Sequence, residues 1–168
     1  TAPTGWTAGA NAGAPSGQGL NWWWKVATAS DAGTSATFKA ASFADGGGTL
    51  LDYRGLSASS PILAVSTMAT NDNGGVGNVT KPTFTSVSWS GSTSVVSLLL
   101  MSWQPNPATV TWSTGFALQA TANDGFDSVA AGANLMPQTT TSLATQTATL
   151  SQASDVIPTL QVALRVGP

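Results

Sequence analysis

The chain has no cysteine, no histidine and no glutamate, and only 7% of its 168 residues are charged, against about 25% in an ordinary soluble domain. Each absence removes a class of chemistry. Without imidazole there is no histidine general base, no Ser-His-Asp triad and no histidine metal ligand. Without thiols there is no cysteine nucleophile, zinc-thiolate site or disulfide. That leaves the redox compartment open, because a disulfide-free chain of this size can be stable in either setting. All 7 acidic residues are Asp, and the near-absence of the Glu and Lys that usually cover exposed helix faces argues against an all-α fold.

The five cations, Lys25, Lys39, Arg54, Lys81 and Arg165, are scattered, and the net charge is −2. No basic stripe exists for a phosphate backbone, so nucleic acid is not an expected partner. The longest apolar run, Val95 to Trp103, is broken by Ser97 and Ser102 and falls well short of the ~20 residues of a membrane-spanning helix. Thr1-Ala2-Pro3-Thr4-Gly5 lacks the charged and apolar pattern of a signal peptide. No membrane association, metal or cofactor is expected.

What is present is 42% hydrophobic residues and 18 glycines in a background of Ser, Thr and Ala. A chain of this length buries roughly 70% of its unfolded surface, enough for one core, and residues 1–168 read as one domain. Turn signals recur along it: Ala14-Pro15-Ser16-Gly17, Asp31-Ala32-Gly33, Asp45-Gly46-Gly47-Gly48, Asn71-Asp72-Asn73-Gly74-Gly75, Gln104-Pro105-Asn106-Pro107 and Asn123-Asp124-Gly125. The segments between them are rich in β-branched, aromatic and small residues. They read as about eleven strands near 20–28, 35–41, 48–54, 62–69, 83–90, 94–103, 109–113, 116–122, 127–136, 144–151 and 158–166.

In 158–166, Leu160, Val162, Leu164 and Val166 share one face, and Gln161, Ala163 and Arg165 share the other, which is the pattern of a half-buried antiparallel strand. In 144–151, Ala148 and Leu150 face inward and the Thr row faces water. Val95 to Met101 is apolar on both faces and reads as a central strand. Glycines and threonines break every Ala-rich stretch, so at most one short helical turn is expected. The expected fold is an all-β antiparallel β-sandwich, jelly-roll or Ig-like, with little or no helix.

Trp22-Trp23-Trp24 is the most unusual local feature, because in a strand Trp22 and Trp24 point one way and Trp23 the other. Either set anchors the core; the remaining indole can serve as a stacking platform for a sugar ring or a neighbouring subunit. Trp103 and Trp112 flank a Pro-containing loop and either pack in the core or rim a second aromatic patch. Asp52-Tyr53-Arg54 places opposite charges on one side of a strand and a buried phenol on the other. Arg54 could also orient an acidic ligand through bidentate bonds, and Lys25 offers a weaker version of the same argument. Asp124 and Asp127 are three residues apart, but catalytic carboxyl pairs need a cleft and one raised pKa, and Asp or Asn before Gly is ordinarily a turn residue. Asn71-Asp72-Asn73-Gly74 has only one carboxylate where calcium takes 6–8 oxygen ligands.

One wider pattern runs through nearly the whole chain. It comprises Pro3-Thr4-Gly5-Trp6-Thr7, Gly19-Leu20, Trp24-Lys25-Val26-Ala27 with Asp31, Thr37-Phe38 and Leu51-Asp52-Tyr53-Arg54-Gly55-Leu56. It continues through Ser60-Pro61-Ile62, Pro82, Leu98-Leu99-Leu100 and Leu160-Gln161-Val162-Ala163-Leu164-Arg165. This resembles the β-sandwich domains of tailed-phage virion proteins and related bacterial surface proteins. The resemblance implies a non-enzymatic virion surface component: a head decoration, a spike or a tail-fibre module. It brings no catalytic residues, and it makes Gly5-Trp6 and Tyr53-Arg54-Gly55 framework positions. The expected partners are other virion proteins and further copies of the chain, as in a trimeric fibre or spike, since an uncharged surface lets copies pack without repulsion. The alternative is a carbohydrate-binding domain that takes host polysaccharide by stacking on Trp22, Trp23, Trp24, Trp103 or Trp112, with Arg54 orienting it. The expected setting is the virion surface, or a secreted or bacterial cell-surface location.

Overall fold

The computed structural model describes residues 2–9, 12–13, 19–39, 46–72, 79–104, 108–124 and 127–168. Within them lie thirteen strands: β1 (Thr7–Ala8), β2 (Ala12–Gly13), β3 (Gly19–Leu20), β4 (Trp23–Trp24), β5 (Ile62–Val65), β6 (Ala69–Asp72), β7 (Thr83–Phe84), β8 (Val87–Trp103), β9 (Val110–Trp112), β10 (Ala117–Asn123), β11 (Ser128–Leu143), β12 (Gln146–Leu150) and β13 (Val156–Arg165). The one helical turn among the described residues is the three-residue 3₁₀ stretch Ala29–Asp31. The fold is all-β, antiparallel and sandwich-like.

The central sheet runs in the order β10-β11-β8-β13-β5, with β6 also pairing β13. A three-stranded sheet, β7-β12-β9, lies against it, and β1-β4 and β2-β3 form two short pairs. Side chains alternate along β8, so it feeds two cores. Val96, Leu98 and Leu100 join Leu160, Val162 and Leu164 of β13 on one face. Leu99, Met101 and Trp103 join Ile157 on the other, under Phe84, Ala148 and Leu150 of the three-stranded sheet. Further along that second face, Val95 and Ala163 pack with Val87 and Leu143 in a smaller cluster.

The central reading of Val95–Met101 holds, and so does that of β12, where Ala148 and Leu150 are buried and Thr147 and Thr149 exposed. Strand β13 differs from the half-buried expectation: every residue from Val156 to Leu164 is buried. The reason is its position between β8 and the β5/β6 edge, with layers above and below. Pro158 is tolerated there because the ladder with β8 begins only at Thr159.

The expected strands 83–90 and 94–103 are mostly one element, β8, which passes through Gly91 at φ +77°. Only glycine enters that backbone region freely, and the register shift opposite it between Thr140 and Ser142 lets the strand bend without ending. The described parts of 35–41 and 48–54 are not strands; they run as irregular chain over the first face. Asp52, Tyr53 and Arg54 therefore occupy a coil rather than a strand.

One amide fastens the two sheets together. The Asn71 side chain, on β6, accepts a bond from Thr83 N at 2.8 Å and donates to Ile157 O at 3.0 Å. Thr159 Oγ1 completes the joint by donating to Thr83 O at 2.6 Å. Buried polar groups must be paired, and here the pairing links β6, β7 and β13. The Asn71 amide is thus a structural fastener; Asp72 ends β6, and Asn73 and Gly74 of the same turn lie outside the described residues.

Candidate functional site

The tryptophans divide by local geometry. Trp103 is 2% exposed and sits in the core beneath the three-stranded sheet. It has no indole face to offer a ligand, a correction to its place among the platform candidates. Trp112 leans over β11: a Cβ at Gly132 would stand 2.5 Å from its Cδ2, so the indole lies flat on the glycine. Its other neighbour is Phe84, with ring centroids 5.9 Å apart. Trp22 does the same on the first face, where a Cβ at Gly9 would come within 1.9 Å of its Cε2, and it packs against the Leu98–Leu160 core.

Trp23 and Trp24 are half-buried on β4, paired with Ala8 and Thr7 of β1. Phe38, 40% exposed, gathers two indoles: Trp23 at 5.0 Å, tilted 41°, and Trp6 edge-on at 5.1 Å and 78°. Such offset and edge-to-face contacts are the favoured aromatic arrangements. Trp6 and Phe38 are members of this cluster that sequence reasoning did not single out, since no spacing rule joins residues so far apart.

Close by in the chain, Lys25 is ion-paired with Asp31. The Lys25 ammonium, the Thr28 backbone N–H and the Thr28 hydroxyl hold the Asp31 carboxyl down at about 2. Thr28 and Asp31 form a reciprocal capping box on the 3₁₀ turn, which gives Lys25 a structural partner rather than a ligand-orienting role.

Arg54 is exposed, with 92% of its side chain in solvent, and its Nε stands 3.7 Å from Asp52, which is also exposed. Such a pair contributes little. Together with Tyr53, Leu56, Leu135 and Val166 these residues line an open, largely apolar cleft of about 490 Å³. Burial alone pushes the Tyr53 phenol up to about 12, and its hydroxyl has no hydrogen-bond partner among the described residues.

Asp124 and Asp127 close the corner between β10 and β11. Asp127 N donates to Asp124 Oδ1 at 2.8 Å, Gly46 N donates to Asp124 Oδ2 at 2.5 Å, and Gln104 Nε2 donates to Asp127 Oδ1. Both carboxylates accept bonds from neighbouring backbone or amide groups, as turn residues do.

A second cleft, of about 330 Å³, opens where the three-stranded and central sheets diverge. Its lining holds Ser97, Phe116, Asn134, Gln138, Gln146 and Gln161 and, among the described residues, no charged one. Gln161 is 0% exposed and its Nε2 donates to Ser97 Oγ at 3.1 Å. Sequence reasoning placed Gln161 on the watery side of a half-buried strand. The available signal was Ser97, a hydroxyl inside an otherwise apolar central run.

No family model, no curated protein and no solved structure matches the chain.

Proposed function

We propose that the chain is a non-enzymatic structural protein of a phage virion, displayed on the particle as a head decoration, spike or tail-fibre module and acting through subunit contacts. The observation that carries this reading is the β10 end of the central sheet. β10 is the outermost strand and has no charged residue from Ala117 to Asn123. At the same end of the β10–β11 pair, Leu118, Leu135 and Met136 are 49%, 52% and 75% exposed.

Free-standing proteins commonly guard a sheet edge with charge, lysine above all, and grouped exposed hydrophobes mark contact surfaces. A bulge between Leu118 and Ala120 distorts the β10–β11 ladder, and Gln119 Nε2 donates to Ala117 O. The proposed contact is made by the exposed side chains rather than by continuous strand addition. The scarcity of charge lets many copies approach one another.

Sedimentation velocity from about 1 to about 500 µM protomer tests the self-contact, because a mass-action assembly must shift with concentration. Oligomers that dissolve in Met136→Lys are the expected result, and gold-labelled antibody to this chain should decorate intact particles. A monomer at every concentration together with unlabelled particles overturns the reading.

The Trp23–Phe38–Trp6 cluster favours a second reading, a carbohydrate-binding domain that stacks host polysaccharide on a half-buried indole. A saturable fluorescence change on titration with that polysaccharide, lost in Trp23→Ala, is its test.

A further inference from the structure

The second face of the central sheet has a polar gap between two apolar clusters. On one side lie Leu99, Met101 and Ile157, on the other Val95 and Ala163. In the gap, adjacent rows carry Gly132-Leu99-Gln161 and Asn134-Ser97-Ala163 across β11, β8 and β13. Leucine or valine at 97 and 161 would join the clusters into one. A buried amide and hydroxyl cost free energy relative to that apolar alternative unless they are fully paired, and the Gln161–Ser97 bond holds them in place.

The backbone is modified at the same spot. Between Asn134 and Gln138 β11 advances four residues while β8 advances two, from Ser97 to Val95. Bulges of this kind turn side chains out of a ladder and are frequent beside binding sites. Asn134 Oδ1 steadies the bulge by accepting from Met136 N at 3.1 Å. Opposite, the Ser113–Phe116 turn, closed by Phe116 N to Ser113 O at 3.0 Å and passing through Gly115 at φ +87°, brings Phe116 to the lining.

From this arrangement we propose that the cleft is a binding site for an uncharged sugar unit. Amides at 134, 138 and 146 line the cleft; Gln146 already accepts from Ser113 Oγ and donates to Ala144 O, and Asn134 Oδ1 accepts from Met136 N, which leaves each of these two a second N–H and a second lone pair for the vicinal hydroxyls of a sugar. Phe116 supplies an apolar surface for the C–H face of a ring. No charge among the described residues lines the cleft to favour an anionic or cationic ligand, and its volume is near the lower bound of about 300 Å³ for small-molecule sites, suited to one or two rings. Asn134, Gln138, Gln146 and Phe116 make the contacts; Gln161 and Ser97 are positioning residues. The site is separate from the Trp23 cluster and stands independently of the subunit-contact reading.

The test is ¹⁵N-resolved NMR titration of the whole chain with neutral hexose and N-acetylhexosamine oligosaccharides, with glucuronate and glucosamine as charged controls. Saturable shifts are expected around 97, 114–116, 134–138, 144–146 and 161 for at least one neutral sugar, with Kd at or below about 1 mM. Gln138→Ala, at an exposed position, should weaken binding about tenfold or more, the loss of roughly one well-made hydrogen bond. Gln161→Leu should weaken it while its spectrum outside the cleft stays unchanged, and Trp23→Ala should leave it intact. Absence of saturable shifts with every neutral sugar, equal binding of the charged controls, or shifts centred on Trp23 and Phe38 that survive Gln138→Ala would each overturn the proposal.

Discussion

The two faces of the central sheet are covered by different kinds of structure. On the second face the cover is a sheet: β7, β12 and β9 lay Phe84, Ala148 and Leu150 in register over Leu99, Met101 and Ile157. On the first face the cover is mostly irregular chain, in which Leu20, Trp22, Leu51, Tyr53 and Leu56 reach down individually onto Leu98, Leu100 and Leu160. The same strands supply both floors through alternate residues. A laddered cover is held by its neighbours at every residue, whereas an irregular one is held where single side chains dock. The first should therefore unfold only with the whole protein, and the second should be able to detach locally.

The largest effect that probes this contrast is truncation of one anchor in each cover. Leu150→Ala, buried on β12 of the laddered cover, should cost about 2–5 kcal/mol in chemical denaturation. Leu20→Ala, on the short strand β3 of the other cover, should cost less globally because the segment frees itself before the sheet gives way. Equal losses in the two variants would break the contrast.

Next in size are the two glycines that carry indoles. Gly132→Ala drives a methyl into Trp112 and should cost about 1–3 kcal/mol, as overpacked cores do. Gly9→Ala meets Trp22 even more closely, yet the expected readout is a red-shifted tryptophan emission with a smaller fall in the denaturation midpoint. Hydrogen exchange sharpens the same point: amides of β8 and β13 should exchange only through global unfolding, and those of residues 19–39 and 46–56 far faster. Uniform protection would contradict a detachable cover.

Smaller still is the effect at Tyr53. Its hydroxyl is buried without a partner among the described residues, so Tyr53→Phe should be neutral or slightly stabilising, within about 1 kcal/mol. As the sole tyrosine, it can be titrated by its own tyrosinate absorbance. The folded value of about 12 lies above the ordinary phenol value of 10.0. The folded protein thus holds this proton more tightly than the unfolded chain does, and this stability is full below pH 10 and lost as pH rises towards 12. A native midpoint near 10 would mean that the phenol is not covered.

The least effect belongs to Asp31, whose carboxyl titrates lower in the fold than the ordinary aspartate value of 3.8. Its contribution is present above that pH and declines as pH falls towards about 2. Because the pair with Lys25 is at the surface, Asp31→Asn should leave the denaturation midpoint almost unmoved and should abolish this acid-side dependence.

Much of the fold was legible where a residue's own neighbours decide its state. Val95–Met101 is apolar on both sides except at Ser97 and lies in the middle of a sheet; Ala148 and Leu150 alternate with threonines and point inward. The candidate cleft was legible only as an anomaly, Ser97 in an apolar run, because its other walls come from residues 114–116, 134–146 and 161 and meet only through sheet pairing. Trp22, Trp23 and Trp24 show the same division: their alternation follows from strand geometry, but Gly9 beneath one ring and Phe38 beside another are distant in the chain.

The amino-acid sequence by itself determined the all-β class and excluded histidine and thiol chemistry, since composition and side-chain period act within a few residues. Tertiary structure alone decided that β13 is buried on both faces, that Trp103 is enclosed, and that Gln161 lies under a polar cleft instead of in water. Burial is a property of what packs against a strand from elsewhere in the chain, and a strand's own alternating pattern records which residues share a face but not what covers it.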